Sequence, residues 1–139
     1  MQVGQTNTDT RLRVPLRRRD VDELGHLNQA VYHELLEEGR AALFAPARED
    51  DGFNFALVRI ELDYKREVRL ADREVEVVAR VAALGRTSVT VTHEIVLPDG
   101  TVAAEGRSVL VAWDRSARGA RELTERERAR LGALPSGDQ

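Results

Sequence analysis

The stretch Asp20-Val21-Asp22-Glu23-Leu24-Gly25-His26-Leu27-Asn28-Gln29-Ala30-Val31-Tyr32 changes character twice. It leaves an arginine-rich run, turns at Gly25, and becomes helical after Asn28. From Asn28 to about Ala45, Tyr32, Leu36, Gly39 and Leu43 recur at helical spacing, and Val31 and Leu35 widen that apolar stripe. Asn28 suits an N-cap, because its side chain can accept a hydrogen bond from an unsatisfied backbone N–H. Pro46 stops the helix, since the residue before a proline is pushed out of the helical region.

Working outward, Arg11 to Arg19 alternates, with Leu12, Val14 and Leu16 on one face and arginines on the other. That pattern is a half-buried strand, and Pro15 within it argues for an edge position or a bulge. Residues 1–10 are polar and read as a mobile N-terminal arm, leaving 11–139 as one domain. Beyond the helix lie four strand-like runs. Phe55 to Val68 places Ala56, Val58, Ile60, Leu62 and Tyr64 on one side. Glu74 to Leu84 and Thr87 to Leu97 alternate around valines, separated at Gly85. Pro98-Asp99-Gly100 is turn chemistry, and Thr101 to Trp113 is the last strand. Thr124 with Glu127 forms a capping-box pattern, which predicts a short C-terminal helix over Leu123 to Leu134, followed by fraying from Pro135.

One long helix needs an apolar surface to cover, and a twisted antiparallel sheet supplies one, so the fold class is α+β. The sheet's other face and its edges also need cover, which predicts self-association. The chain has 139 residues, enough for one domain with a substantial core. A net charge of -3 gives no basic field for nucleic acid, and no apolar run is long enough to span a bilayer. No signal-peptide pattern opens the chain, and cysteine is absent, so a reducing, cytoplasmic setting is the expectation. His26, His33 and His93 have no metal-site spacing.

The connector concentrates chemistry. Asp22 precedes a helix N-terminus, where amides are unsatisfied and the dipole is positive. A carbonyl oxygen gaining negative charge would be stabilised there. A carboxylate beside it could attack the carbonyl carbon or deprotonate a water. Acyl-transfer hydrolysis needs little more.

The motif Asp20-x-Asp22-x-x-Gly25-His26-x-Asn28-x-x-x-Tyr32, continuing to Glu37-Glu38-Gly39-Arg40, resembles the signature of hotdog-fold acyl-CoA thioesterases of the 4-hydroxybenzoyl-CoA thioesterase type. Ile60-Glu61-Leu62-Asp63-Tyr64, Arg69-Leu70-Ala71-Asp72, Leu84-Gly85-Arg86-Thr87-Ser88 and Arg107-Ser108-Val109-Leu110-Val111-Ala112-Trp113 resemble the same family. The resemblance covers about Arg11 to Asp114. It implies a five-stranded antiparallel sheet wrapped around the long helix, and a homo-oligomer, dimer or tetramer, with sites between subunits. It implies that Asp22 is the catalytic carboxylate, as nucleophile or general base, and that the Gln29 backbone N–H binds the thioester oxygen. His26 and Asn28 fall at the family's polar site positions. Thr87 and Ser88 match a strand start that approaches the thioester from the partner subunit. Gln29 departs from the small polar residue frequent at that position, which matters little if only its backbone acts. The substrate implied is an acyl-CoA, with coenzyme A part of the substrate and no metal or redox cofactor, nucleic-acid or membrane partner. Acyl identity and carrier stay open.

Blander readings stand beside these. Asp22 could cap a turn, and Asp20 reads as a turn or strand-end residue. His26 could cap the helix start or orient substrate. Asn28 reads chiefly as the N-cap. Tyr32, a candidate substrate contact, and Tyr64 read equally as core or interface residues. Glu34, Glu37 and Glu38 read as a solvated face or as pairs with Arg40 and Arg48, although some relatives carry their catalytic acid on this helix. His93, alternating with valines, reads as a satisfied, partly buried histidine. Lys65, Arg66, Arg86 and Arg17-Arg18-Arg19 are candidates for coenzyme A phosphates, because a guanidinium fork matches phosphate oxygens. Two rival functions are a non-catalytic acyl-CoA-binding dimer and an enoyl-CoA hydratase.

Overall fold

In the computed structural model, which describes residues 9–50 and 52–132, a curled antiparallel sheet wraps one long helix. The elements in order are β1 (Asp9–Pro15), α1 (Gln29–Phe44), β2 (Phe55–Tyr64), β3 (Glu74–Leu84), β4 (Ser88–Val96), β5 (Val102–Asp114), β6 (Gly119–Ala120) and α2 (Glu125–Gly132). The sheet runs β1-β3-β4-β5-β2, every pair antiparallel, with the short β6 added to β5. β1 and β2 are therefore the edges, and Pro15 sits on the edge strand its missing N–H requires.

The valine alternation decides which face is covered. Val75, Val77 and Ala79 of β3 and Val89, Val91 and Ile95 of β4 point inward and are buried. The helix answers with Tyr32, Leu35, Leu36, Gly39, Leu43 and Phe44, all buried. Gly39 sets the approach: a Cβ there would stand 2.9 Å from Val77 Cγ1 and 3.6 Å from Ala79 Cβ. One half of the core gathers Leu36, Val77 and Ile95; the other gathers Phe44, Val91 and Leu110. Phe44 makes edge-on contacts with Phe53 and Phe55 at 5.5 Å and 4.8 Å between ring centroids.

The outer face is covered by charge rather than by a second layer. Glu61 of β2 takes ion pairs from Arg59 on its own strand and from Arg107 of β5, the latter at 3.2 Å. At the C-terminus the expected capping box is present: Glu127 N donates to Thr124 Oγ1 at 3.0 Å, and Thr124 N donates to Glu127 Oε1 at 2.9 Å. Glu127 is buried and receives both arms of Arg121, at 2.9 and 2.8 Å. Burial pushes its carboxyl up, but Arg121 and the Thr124 bonds outweigh that and hold it below the usual range.

Several expectations need correcting. The strand expected over Arg11 to Arg19 is β1, Asp9–Pro15; Arg18–Asp20 instead form a single 3-10 turn. The arm expected over 1–10 gives Asp9 and Thr10 to β1, and its remainder lies outside the described residues. β2 stops at Tyr64 rather than Val68, and a bulge between Leu57 and Arg59 turns Val58 outward. Arg40 is no surface ion-pair partner for the helix glutamates: it is buried, and its Nη1 donates to Ser108 Oγ at 3.3 Å. Glu34, Glu37 and Glu38 are exposed. The fraying expected from Pro135 lies outside the described residues. No helix among the described residues is long and apolar enough to cross a membrane.

Candidate active site

The connector from Asp20 to Asn28 is a closed loop held by its own polar groups. Asp22 N donates to His26 O at 2.8 Å, Gly25 N to Asp22 O at 2.9 Å, and Asn28 N to Asp20 O at 2.7 Å. Gly25 has φ +82, a conformation that side chains disfavour, so the turn there calls for glycine. Asp20 is buried and accepts from Arg17 N at 2.7 Å and Arg17 Nη2 at 2.9 Å. Burial raises the Asp20 carboxyl, but the Arg17 bonds win and keep it below its ordinary value. The strand-end reading of Asp20 therefore holds, with Arg17 as its counter-ion.

Asp22 is exposed. Its Oδ1 accepts the Leu24 N–H at 2.9 Å and the His26 N–H at 3.0 Å. Oδ2 has no hydrogen bond among the described residues. The carboxylate thus caps its loop with one oxygen and presents the other. Asn28 is the N-cap of α1, its Oδ1 accepting from Ala30 N at 3.1 Å. The Gln29 N–H, first of the helix, makes no hydrogen bond among the described residues. An open amide at the positive end of a 16-residue helix is the donor an oxyanion needs.

The opposite wall comes from the end of β2 and the chain after it. Leu27 N donates to Val68 O at 2.8 Å, and His26 bridges to Arg69, which stitch the loop to that segment. His26 Nε2 meets Glu67 Oε1 at 2.8 Å. The Gln29 side chain donates to Tyr64 Oη at 2.6 Å, and Tyr64 stands edge-on to Tyr32 with centroids 4.9 Å apart. Between the walls is a cavity of about 540 Å3 that Asp22, His26, Asn28, Gln29, Tyr32 and Lys65 all line.

Six of the candidates from the sequence are thus brought together. Arg86, Thr87 and Ser88 are not: β4 begins at Ser88, aligned through Val111 with Ala56 at the start of β2, while Tyr64 closes the other end. Sequence reasoning missed Glu67 and the Gln29–Tyr64 bond. Neither pair shows in a periodicity, since only the fold brings residues so far apart in the chain together. Lys65 and Arg66 stand at the cavity wall, held by Glu105 at 3.3 Å and Asp99 at 3.8 Å. Arg86 is paired with Glu122 at 2.7 Å.

This arrangement, a carboxylate beside an open helix amide under a sheet-wrapped helix, agrees with what known proteins show. The profile of the thioesterase-like superfamily matches residues 16–131. The chain belongs to the thioesterase-like superfamily. Among solved structures, a thioesterase from Thermus thermophilus, complexed with coenzyme A and Zn, is 36% identical with a TM-score of 0.79; the match covers 88% of this chain and 96% of that one. A predicted thioesterase from Bacillus stearothermophilus is 25% identical at a TM-score of 0.81, covering 88% and 93%. A probable thioesterase from Escherichia coli is 25% identical at a TM-score of 0.72, covering 88% and 95%. These are hotdog folds, and the chain's sheet and helix match them. No curated protein sequence matches the chain.

Proposed function

We propose that this thioesterase-superfamily member hydrolyses an acyl-CoA to a free acid and coenzyme A, with Asp22 as its catalytic carboxylate. One observation carries the reading: Asp22, with Oδ2 unengaged, and the open Gln29 amide line the same cavity. A thioester carbonyl seated there has its oxygen on the Gln29 N–H and its carbon toward Asp22. The carboxylate then attacks that carbon, or takes a proton from an attacking water. The thiolate departs as the carbonyl reforms. His26, oriented by Glu67, and the Tyr32–Tyr64 pair border the acyl group and keep solvent off it.

The site is completed by a second copy. β2 is an unpaired edge with Val58 56% and Leu57 44% exposed. Two such edges pairing antiparallel would bring the Phe55 end of one protomer to the Tyr64 end of its partner. The Ser88 end of β4 lies beside that Phe55 end, so Thr87 and Ser88 would reach the cavity from across the interface. Lys65 and Arg66 at the wall are then placed to meet coenzyme A phosphates. The Thermus thermophilus relative's complex with coenzyme A supports that ligand class.

The loop-capping bonds of Asp22 favour one other reading, acyl-CoA binding without hydrolysis. Thiol release discriminates: purified protein is incubated with short, long and aromatic acyl-CoA compounds, and free thiol is titrated. Release that disappears in Asp22→Asn supports the proposal. Tight acyl-CoA binding without release supports the rival and ends the hydrolase reading.

A further inference from the structure

A second cavity, of about 620 Å3, lies between α1 and β2 and is unused by the proposed chemistry. Its volume is that of a small-molecule site. Phe53, Phe55, Leu57 and Leu110 give it an apolar wall, and Arg40 stands in that wall. Arg40 is 8% exposed, and no carboxylate lies within 4.0 Å of its guanidinium among the described residues. One N–H is committed to Ser108 Oγ, which is itself bonded to His93 Nε2 at 2.8 Å. That chain fixes the guanidinium and leaves its other donors for the cavity. Burial lowers the Arg40 pKa, the mark of a cation short of counter-charge, with only the Coulombic pull of Glu37 opposing it. A buried cation without an anion is costly, and an incoming carboxylate would relieve that cost.

We propose that this groove binds an amphiphilic monocarboxylate, with its carboxylate on the Arg40 fork and its apolar body against Phe53, Phe55, Leu57 and Leu110. The planar guanidinium matches a carboxylate oxygen pair. Glu34 and Glu37 also line the groove and are exposed. Their charge repels polyanions such as the phosphates of coenzyme A, so a single negative charge on a greasy body is what fits. The site stands on its own geometry and does not require the hydrolase reading.

The probes are octanoate and 1-octanol, titrated calorimetrically into the purified protein. Octanoate is expected to bind at least about tenfold tighter, a difference of about 1.4 kcal/mol. Arg40→Met should erase that difference. Ala41→Trp, at an exposed helix position in the groove, should abolish octanoate binding and leave the fold intact. Equal binding of acid and alcohol, or undiminished octanoate binding in Ala41→Trp, overturns the proposal. So does the absence of any heat, which would mean that a second copy covers the groove. If Arg40→Met does not fold, the wild-type ratio and Ala41→Trp decide. Asp22→Asn should bind octanoate as the wild type does, so failure of this site and failure of hydrolysis are read separately.

Discussion

Asp22 holds His26 in place through the backbone: its Oδ1 accepts the His26 N–H at 3.0 Å, while the His26 carbonyl accepts the Asp22 N–H at 2.8 Å. A single residue thus builds the loop and supplies its acid. Asn retains an oxygen that can accept both amides, whereas Ala retains none. Asp22→Ala should therefore lose about 1–2 kcal/mol of stability and Asp22→Asn much less. Thermal unfolding of the two variants checks this; equal losses would mean that the cap contributes nothing.

His26 and Glu67 form the contact between the loop and the segment after β2. Glu67→Gln keeps a hydrogen bond to the ring, and Glu67→Ala frees it. If ring orientation matters, Glu67→Ala should cut kcat/KM by about tenfold through misplacement, with Glu67→Gln close to wild type. Steady-state kinetics on the best acyl-CoA from the screen would show it. Equal activity in all three would remove His26 from the site.

His93 gives stability a pH dependence. It is 3% exposed, and burial first, then Arg40, push its pKa down to about 4 from 6.5. Above pH 6.5 both states are neutral and the contribution is whole. Between 6.5 and about 4 the unfolded chain binds a proton that the native one refuses, so stability falls with pH, by about 3 kcal/mol over that window. Unfolding followed from pH 7 to 4 should show this slope, and His93→Gln should flatten it. An unchanged slope in the variant would assign it elsewhere.

Gly39 limits how near α1 lies to β3. Any Cβ begins 2.9 Å from Val77 Cγ1, so Gly39→Leu must displace the helix and should cost about 3 kcal/mol or more. Denaturant unfolding measures this, and a loss under about 1 kcal/mol would show that the interface yields easily.

Much of this fold was legible because its elements are long and regular. The helix announces itself through Tyr32, Leu36 and Leu43, its cap through Asn28, and β3 and β4 through alternating valines. The Thr124–Glu127 box was readable because capping is local. What escaped depends on distant partners. The bulge at Leu57 is set by pairing with β5, and β6 is only two residues long. Arg40 reads as a surface residue in any hydropathy pattern; Ser108 and His93, from two strands, make its burial tolerable. The same holds at the site. Asp22, Asn28 and Gln29 sit together in the sequence and were found, whereas Glu67 and Tyr64 meet them only through the sheet.

The central claim is that the Asp22 carboxylate performs chemistry beyond capping its loop. The most direct measurement is thiol release by Asp22→Asn on the best acyl-CoA substrate, with folding and oligomeric state checked alongside. The account predicts a folded protein of unchanged assembly whose kcat has fallen by about a thousandfold or more. Turnover within a few-fold of wild type in that folded variant would contradict it.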